Sequence, residues 1–430
     1  MRMMRIPSLV LLLALALCGC RTVVPPLTTD HGRQAFLRGD YARSAEVLEQ
    51  AKTEQREFTQ QSYASLYGAL MKRTFVRGAY QPMYRDRFLA HFYQGLNYLA
   101  LRQPAQAAAE MGEMERMMDE LDAECATPPE DTDVDSLQEE LDDDSGKLKS
   151  YYDQTQEEFA NFADLRNDPD LARFYNPAAL LLAAFLEALD DNDEEFAYCC
   201  AKVAESGQAP LTLQRMREAV GANALAGKAL VVIAVGHGPR LTERVIGSEK
   251  AKAKLMSFTT LLSEEECLQR QNGDFDPTQP IPMQVGEWRL SAEVAANLYT
   301  SLAAEFARRE RRLYWEQLVR VLVRDLIAEG IIIAGGRRAK RSLARMLITG
   351  GASVGWFFAR QKLMTPDLRC LQDAPWDYQV ALVDIPPDRQ VNFQTPIPCA
   401  VAIPPCENAV VYLNCPDANT TTAPVVFVVK

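Results

Sequence analysis

The sequence predicts an α+β protein, helical over its N-terminal half, mixed in its middle and strand-rich in its C-terminal tail. Three observations carry that prediction. Gly32, Ser44 and Leu48 are spaced like Gly95, Ala107 and Met111, so the same pair of packed helices occurs twice. Small residues facing each other let two antiparallel helices approach closely, while Leu48 or Met111 fills the seam. Beyond Val220 the periodicity changes. Ala229 to Val235 is a valine-rich, nearly continuous apolar run ending on Gly236-His237-Gly238-Pro239, the pattern of a buried strand and a turn. From Tyr378 onwards, short apolar segments recur between turn residues at the spacing of strands.

Taken in chain order, Met1 to Arg5 carry two arginines, Leu9 to Leu17 is apolar, and the run closes on Leu17-Cys18-Gly19-Cys20. A charged start, a short apolar core and a small residue before a cysteine form a cleaved export signal. The run is well short of the roughly 20 residues that a spanning helix needs. The ending resembles the lipobox of bacterial lipoproteins, which implies that residues 1–19 are removed and that Cys20 is acylated and becomes the new N-terminus. Residues 20–30 then form a lipidated tether. Arg21 stands where an aspartate often signals inner-membrane retention, so the sorting rules of that class point to the outer membrane. The chain has 430 residues, 48% apolar and 24% charged, a globular composition sufficient for two or three domains. Its net charge of −12 speaks against nucleic acid as a partner. The expectation is a protein of the bacterial cell envelope, bound to the membrane through its N-terminal lipid only.

Export also changes how the cysteines read. Beside Cys18 and Cys20 there are Cys125, Cys199, Cys200, Cys267, Cys370, Cys399, Cys406 and Cys415. An oxidising compartment permits disulfides, but spacing does not fix their connectivity. Cys399, Cys406 and Cys415 lie close together in the tail, where one bridge and buried free thiols stand as alternatives. Cys199 and Cys200 are adjacent on a helix, point different ways and do not bond each other.

The helical unit spans 31–220. Its first copy runs from His31 to Ala51 across a Gly39-Asp40-Tyr41 turn, and its second from His91 to Met114. The third starts at Asn176-Pro177, a cap followed by a first-turn proline. It turns at Asp190 to Asp193 and resumes from Glu194 to Glu205. The pattern is similar to the tetratricopeptide (TPR) repeat, although the copies do not follow the usual period of about 34 residues. This reads as an irregular TPR-like domain. The acidic insertion 119–145, with Pro128-Pro129, repels itself and stays solvated. Within it Asp131-x-Asp133-x-Asp135 alternates like a calcium loop, but Ser136 and Asp142 replace the glycine and glutamate such a loop uses.

The mixed αβ domain spans 221–385. Leu241 to Ile246 reads as a return strand after the glycine turn, and Ala295 to Glu329 as a long helix. The basic stretch Arg308 to Arg345 reads as a solvated helix face, with a partner or lipid-headgroup surface as the alternative. The β-rich tail spans 386–430, with strands at Gln390 to Phe393, Ala400 to Ile403, Ala409 to Leu413 and Val425 to Val429.

Four segments together resemble a family of uncharacterised bacterial lipoproteins with N-terminal tetratricopeptide-like repeats. They are Leu89 to Glu110, centred on Leu96-Asn97-Tyr98-Leu99-Ala100-Leu101; Leu230 to Arg244; Leu318 to Ile327; and Asp367-x-Arg369 with Pro375. In the last, Leu371 and Ala374 stand where the family motif has tryptophan and leucine. The resemblance implies an envelope lipoprotein and carries no reaction with it.

Catalytic patterns fail on their own requirements. Gly351-Ala352-Ser353-Val354-Gly355 matches a nucleophile elbow, yet His31, His91 and His237 all precede Ser353 and no strand leads into it. Gly221 to Lys228 is one residue too long for a phosphate loop and has Ala229 where a magnesium-binding hydroxyl belongs. Three scattered histidines make no zinc site. No enzyme, metal or cofactor is expected. The candidate binding residues are His237, on its glycine-flanked turn, and Arg369. The expected function is an assembly or interaction scaffold whose helical repeats present a concave groove to envelope proteins. The alternative is a glycan-binding protein or enzyme with its site after Val220.

Overall fold

A computed structural model describes residues 28–59, 83–126, 176–248, 253–271, 275–308, 371 and 374–430. The export signal with Cys20, the Asp131 segment, Leu318 to Ile327, Gly351 to Gly355, Arg369 and nearly all of the basic stretch lie outside the described residues. No helix among the described residues is long and apolar enough to cross a membrane.

Among the described residues the N-terminal half folds into three helical hairpins: α1 (Thr28–Leu37) with α2 (Tyr41–Thr59), α3 (Tyr84–Ala100) with α4 (Pro104–Ala126), and α5 (Pro177–Leu189) with α6 (Asp193–Ser206). Their turns are built alike. Gly39, Arg102 and Asp191 all have positive φ, at 79°, 58° and 59°. The next N–H groups, of Asp40, Gln103 and Asn192, donate to the carbonyls of Ala35, Tyr98 and Glu187 at 3.0, 2.8 and 3.0 Å. This left-handed residue with its long back-bond satisfies the last carbonyls of a helix and reverses the chain. The close helix contacts expected from the spacing are present. A Cβ on Gly32 would sit 2.5 Å from the Leu48 side chain, and one on Gly95 would sit 2.2 Å from Met111 Cε. Ala184, Phe196 and Cys200 occupy the same register in the third hairpin, all buried. Helix α4 continues to Ala126, so residues 119–126 of the expected acidic insertion are helical. The buried side chains of Met117, Met118 and Leu121 hold one face of that helix against the core. A further helix, α7 (Pro210–Gly221), closes the layer.

The elements after it are β1 (Lys228–Val235), β2 (Leu241–Ser248), β3 (Ala253–Leu261), α8 (Glu264–Leu268), β4 (Pro282–Val285), β5 (Trp288–Ser291), β6 (Glu293–Asn297), α9 (298–308), β7 (Asp377–Asp384), β8 (Gln390–Phe393), β9 (Cys399–Ala402), β10 (Ala409–Cys415) and β11 (Val425–Val428). They form a five-stranded sheet ordered β11-β10-β1-β7-β6, a four-stranded sheet ordered β5-β4-β8-β9 and a β2-β3 ribbon. β1 runs parallel to β10 and antiparallel to β7. The strand after the glycine turn therefore does not return along β1, as the sequence suggested; it pairs with β3. β1 is apolar on both faces and needs buried neighbours on both sides, whereas β2 carries Thr242, Glu243 and Arg244. The long helix expected from Ala295 starts only at 298, because Glu293–Asn297 pairs with β7 as an edge strand.

The molecule is layered as helices, five-stranded sheet, four-stranded sheet. Leu230, Val232, Ala234, Tyr378, Val380 and Tyr412 face the helices in one continuous core. Val231, Ile233, Val383 and Leu413 face Met283, Val391, Phe393 and Ile403 of the smaller sheet. Residues 386–430 supply strands to both sheets, so they interleave with 221–385 instead of forming a separate tail. The first helix of each hairpin supplies the sheet-facing surface. Phe36 lies 5.3 Å, centroid to centroid, from both Tyr93 and Tyr412. Arg33, 4% exposed, ties the layers together. Its Nε donates to Tyr93 Oη at 2.9 Å and its Nη2 to Asn414 Oδ1 at 3.1 Å. Tyr378 Oη donates to Tyr93 Oη at 3.0 Å, and Tyr93 and Tyr412 share a bond of 3.2 Å. Burial alone would lower the Arg33 pKa; the surrounding phenols raise it, so the guanidinium stays charged between the layers.

Candidate functional site

The chemistry-bearing residues gather where the parallel strands β1 and β10 end. Loops at this end of parallel strands are the usual place for ligands in sheets with helices packed on them. Gly236 leaves β1 with φ of 72° and donates its N–H to Cys415 O at 2.9 Å. Gly238 donates to Ala374 O at 2.7 Å, and Trp376 donates to Val235 O at 2.8 Å. A Cβ on Gly238 would lie 2.4 Å from Pro375 O. Both glycines beside His237 are explained: the backbone of residues 374 and 375 passes too close to Gly238 for a side chain, and at Gly236, whose φ is positive, a Cβ would lie 2.6 Å from Pro277 Cβ and 2.8 Å from Trp376 Cβ.

His237 is fixed at its peptide. Gln271 Oε1 accepts from its N–H, and Gln271 Nε2 donates to its carbonyl, each at 2.9 Å. Its ring reaches Asp417, two residues beyond β10, with Nε2 3.4 Å from Oδ2. The two side chains are 29% and 11% exposed. Burial works against ionisation of Asp417, but the Asn419 N–H and the His237 ring hold its carboxyl below the ordinary range. A partly exposed imidazole beside a carboxylate can hold a proton or donate a hydrogen bond to a ligand. Burial pushes the thiol of Cys415, two residues before Asp417, up to about 11. Among the described residues no group of three or more histidine, cysteine, aspartate or glutamate side chains is placed to hold a metal ion.

A buried ion pair closes the other side of the turn. Arg85 and Asp86, adjacent at the start of α3, are 1% and 0% exposed. Arg85 Nη1 donates to Pro239 O at 3.0 Å and Nη2 to Leu371 O at 3.4 Å, while Asp86 Oδ1 accepts from Leu371 N at 3.2 Å. Three segments flagged in the sequence therefore converge here: the second hairpin, the Gly-His-Gly-Pro turn and the end of the Asp-x-Arg segment. Arg369 itself lies outside the described residues. Behind Trp376, Asp377 is buried; desolvation holds its carboxyl protonated far above the usual range, Gln379 partly offsets this and Asp276 adds to it.

The cleft beside Arg85, lined among the described residues by Phe88, Leu89, Asn176, Leu298 and Ser301, is too narrow to admit a water molecule. Sequence reasoning found His237 through its flanking glycines. It missed Asp417, Gln271 and the Arg85–Asp86 pair, whose neighbours in the chain give no motif; only the parallel β1–β10 pairing brings Asp417 to His237. No protein-family model, curated protein or solved structure matches this chain.

Proposed function

We propose that this chain is a lipid-anchored protein of the bacterial envelope, held through Cys20, whose three hairpins form an irregular TPR-like unit acting as an assembly scaffold for other envelope proteins. One observation carries the reading, the division of labour within each hairpin. The first helices α1, α3 and α5 are packed on the protein's own sheet. The second helices turn outward and expose Glu46, Glu54, Asp119, Glu194 and Glu205. The apolar faces of the first helices, which the sequence offered as the lining of a partner groove, pack on the chain's own sheet. Partner recognition then belongs to the outer, acidic face, and it suits a partner with basic side chains.

The test is an affinity pull-down from detergent-solubilised envelopes, comparing the wild type with a Glu46→Lys, Glu194→Lys, Glu205→Lys variant. Deleting the hairpins instead would strip one face of the central sheet and report only misfolding. Partners lost in the folded variant support the scaffold; the same partners at the same yield refute the outer face as its binding surface. A second reading, a glycan-binding or enzymatic site after Val220, has the His237–Asp417 pair in its favour. Envelope glycan recovered by the wild type and lost in His237→Ala would place that reading first.

A further inference from the structure

The five- and four-stranded sheets end on β11, β6, β5 and β9, and three of these edges carry a device that keeps another strand from pairing there. β6 is covered, since Ala209 donates its N–H to Val294 O at 3.2 Å. β5 holds the exposed Arg289, and β9 is bounded by Pro398 and by Pro404-Pro405. β11 has no such device. Between Pro424 and Lys430 the chain reads Val425-Val426-Phe427-Val428-Val429, without a charge or a proline.

The neighbouring strands fix which backbone groups of β11 are open. Gly227 donates to Glu407 O at 2.8 Å and Gly236 to Cys415 O at 2.9 Å. Ala409, Val411, Leu413 and Cys415 therefore bond towards β1, and Val410 and Tyr412 towards β11. Asn408 follows the same alternation, its carbonyl accepting from Val429 N at 3.1 Å. Val410 stands opposite Phe427 and Tyr412 opposite Val425, so Val425, Phe427 and Val429 bond inward. Val426 and Val428 turn their N–H and C=O groups to the open side, and among the described residues no hydrogen bond reaches those groups. Phe427 is closed off on the helix side by Phe36 and Tyr41, whose ring centroids lie 6.5 and 6.3 Å away. An unpaired apolar edge of this kind is a template for one more strand.

We propose that a second copy of this chain supplies that strand, the two β11 strands pairing antiparallel about a two-fold axis at Phe427 and joining the five-stranded sheets into one. The sequence of the strand selects the partner. Val425 to Val429 reads the same in both directions about Phe427, so a second β11 laid antiparallel on the first meets its own pattern. Val426 then faces Val428 of the other copy, and Val428 faces its Val426. All of these are outward-bonding residues, so each pair exchanges both N–H···O=C bonds, with the two Phe427 residues as the non-hydrogen-bonded pair between them. A slip of one residue would set outward-bonding against inward-bonding positions and lose the ladder. Pro424, at the next outward position, has no N–H and ends the pairing there. The contact is isologous and closed, so it stops at two copies. A strand of four residues places it at the small, readily dissociating end of protein interfaces, and the net charge of −12 on each copy opposes it further at low salt.

The test is sedimentation velocity of the full chain in detergent over a concentration series, beside Val428→Pro and Val428→Lys. The Val428 N–H bonds nothing in β10, so proline there removes only an outward donor, which an edge strand tolerates. Lysine at the same position blocks the edge by charge and decides the matter where circular dichroism shows the proline variant misfolded. The wild type is expected to pass from the mass of one copy to that of two as concentration rises, and the folded variants to stay at one. The register is read by mixing copies bearing Val426→Cys with copies bearing Val428→Cys, oxidising mildly and mapping the linked peptides. Linkage between positions 426 and 428 is expected to exceed 426 to 426 and 428 to 428. A wild type that stays at one copy, folded variants that both associate like the wild type, or a linkage pattern without that excess overturns the proposal.

Discussion

Gly238→Ala is the perturbation whose cost follows most directly from the geometry. The added Cβ would meet Pro375 O at 2.4 Å, Ala374 O at 2.8 Å and the Pro375 carbonyl carbon at 3.0 Å. All three are backbone atoms, so no rotamer change relieves the overlap. The segment they belong to is itself fixed, because Trp376 donates to Val235 O and accepts from Leu298 N at 2.9 Å. Overpacking of this kind costs about 1–3 kcal/mol. Pushing the turn away also breaks the Gly238 to Ala374 hydrogen bond, worth about 1 kcal/mol. The sum is about 2–4 kcal/mol. Gly112→Ala is the matched control: on α4, with nothing within 4 Å of the added Cβ, it gains up to about 1 kcal/mol of helix propensity. Urea unfolding followed by circular dichroism measures both. A Gly238→Ala midpoint within error of wild type would refute the close-packed turn and, with it, the placement of His237.

Other expectations follow from named contacts. Gly32→Ala destabilises more than Gly95→Ala in urea melts, since the first must displace the branched Leu48 side chain and the second only the terminal methyl of Met111; the reverse order would contradict the hairpin packing. Glu110 accepts from Lys52 at 2.6 Å and faces His91 Nδ1 at 2.6 Å, so Glu110→Ala leaves two buried partners behind. It costs about 3 kcal/mol, the low end of the range for such pairs because Glu49 still reaches Lys52; a loss below about 1 kcal/mol would show the network to be idle. Burial pushes Glu115 up to about 7, against the Cys199 thiol donating at 2.7 Å and with help from Glu195 and Glu187. A carboxyl raised in the folded state favours folding fully below the unfolded value of 4.5, and that contribution is lost as the pH rises through about 7. With discount for its partial exposure this amounts to about 1–2 kcal/mol, and Glu115→Gln removes the slope; an unchanged slope in that variant would sink the assignment. Glu110 runs the other way. Burial opposes its ionisation but His91 and Lys52 lower its pKa, so its contribution is present above the ordinary carboxylate range and lost on acidification.

Much of this architecture is written in local spacing. A glycine followed by a small residue twelve positions on and a large one sixteen on suffices to place two hairpins, because the contact is internal to each. The unbroken apolar run of β1 announces a strand buried on both faces. The sequence is silent where the decision is tertiary. Arg33 looks like any helical surface arginine until Tyr93, Tyr378 and Tyr412 arrive from three other elements. The parallel partner of β1 lies far along the chain, and nothing near Asp417 marks it as the neighbour of His237. Strands β4 to β6 are too short to show alternation, which is why the helix after them was expected to start too early. The partner groove turns on the same limit: an apolar first-helix face is equally suited to a partner and to the chain's own sheet, on which it packs here.

Whether the first-helix faces stay committed to that sheet is read most directly by native-state hydrogen exchange on the full chain. The account predicts that amides of α1, α3 and α5 exchange with the same opening free energy as those of β1, β7 and β10, as one cooperative unit. Helices that open while the sheet stays protected would contradict it, and would return the concave face to service as a binding groove.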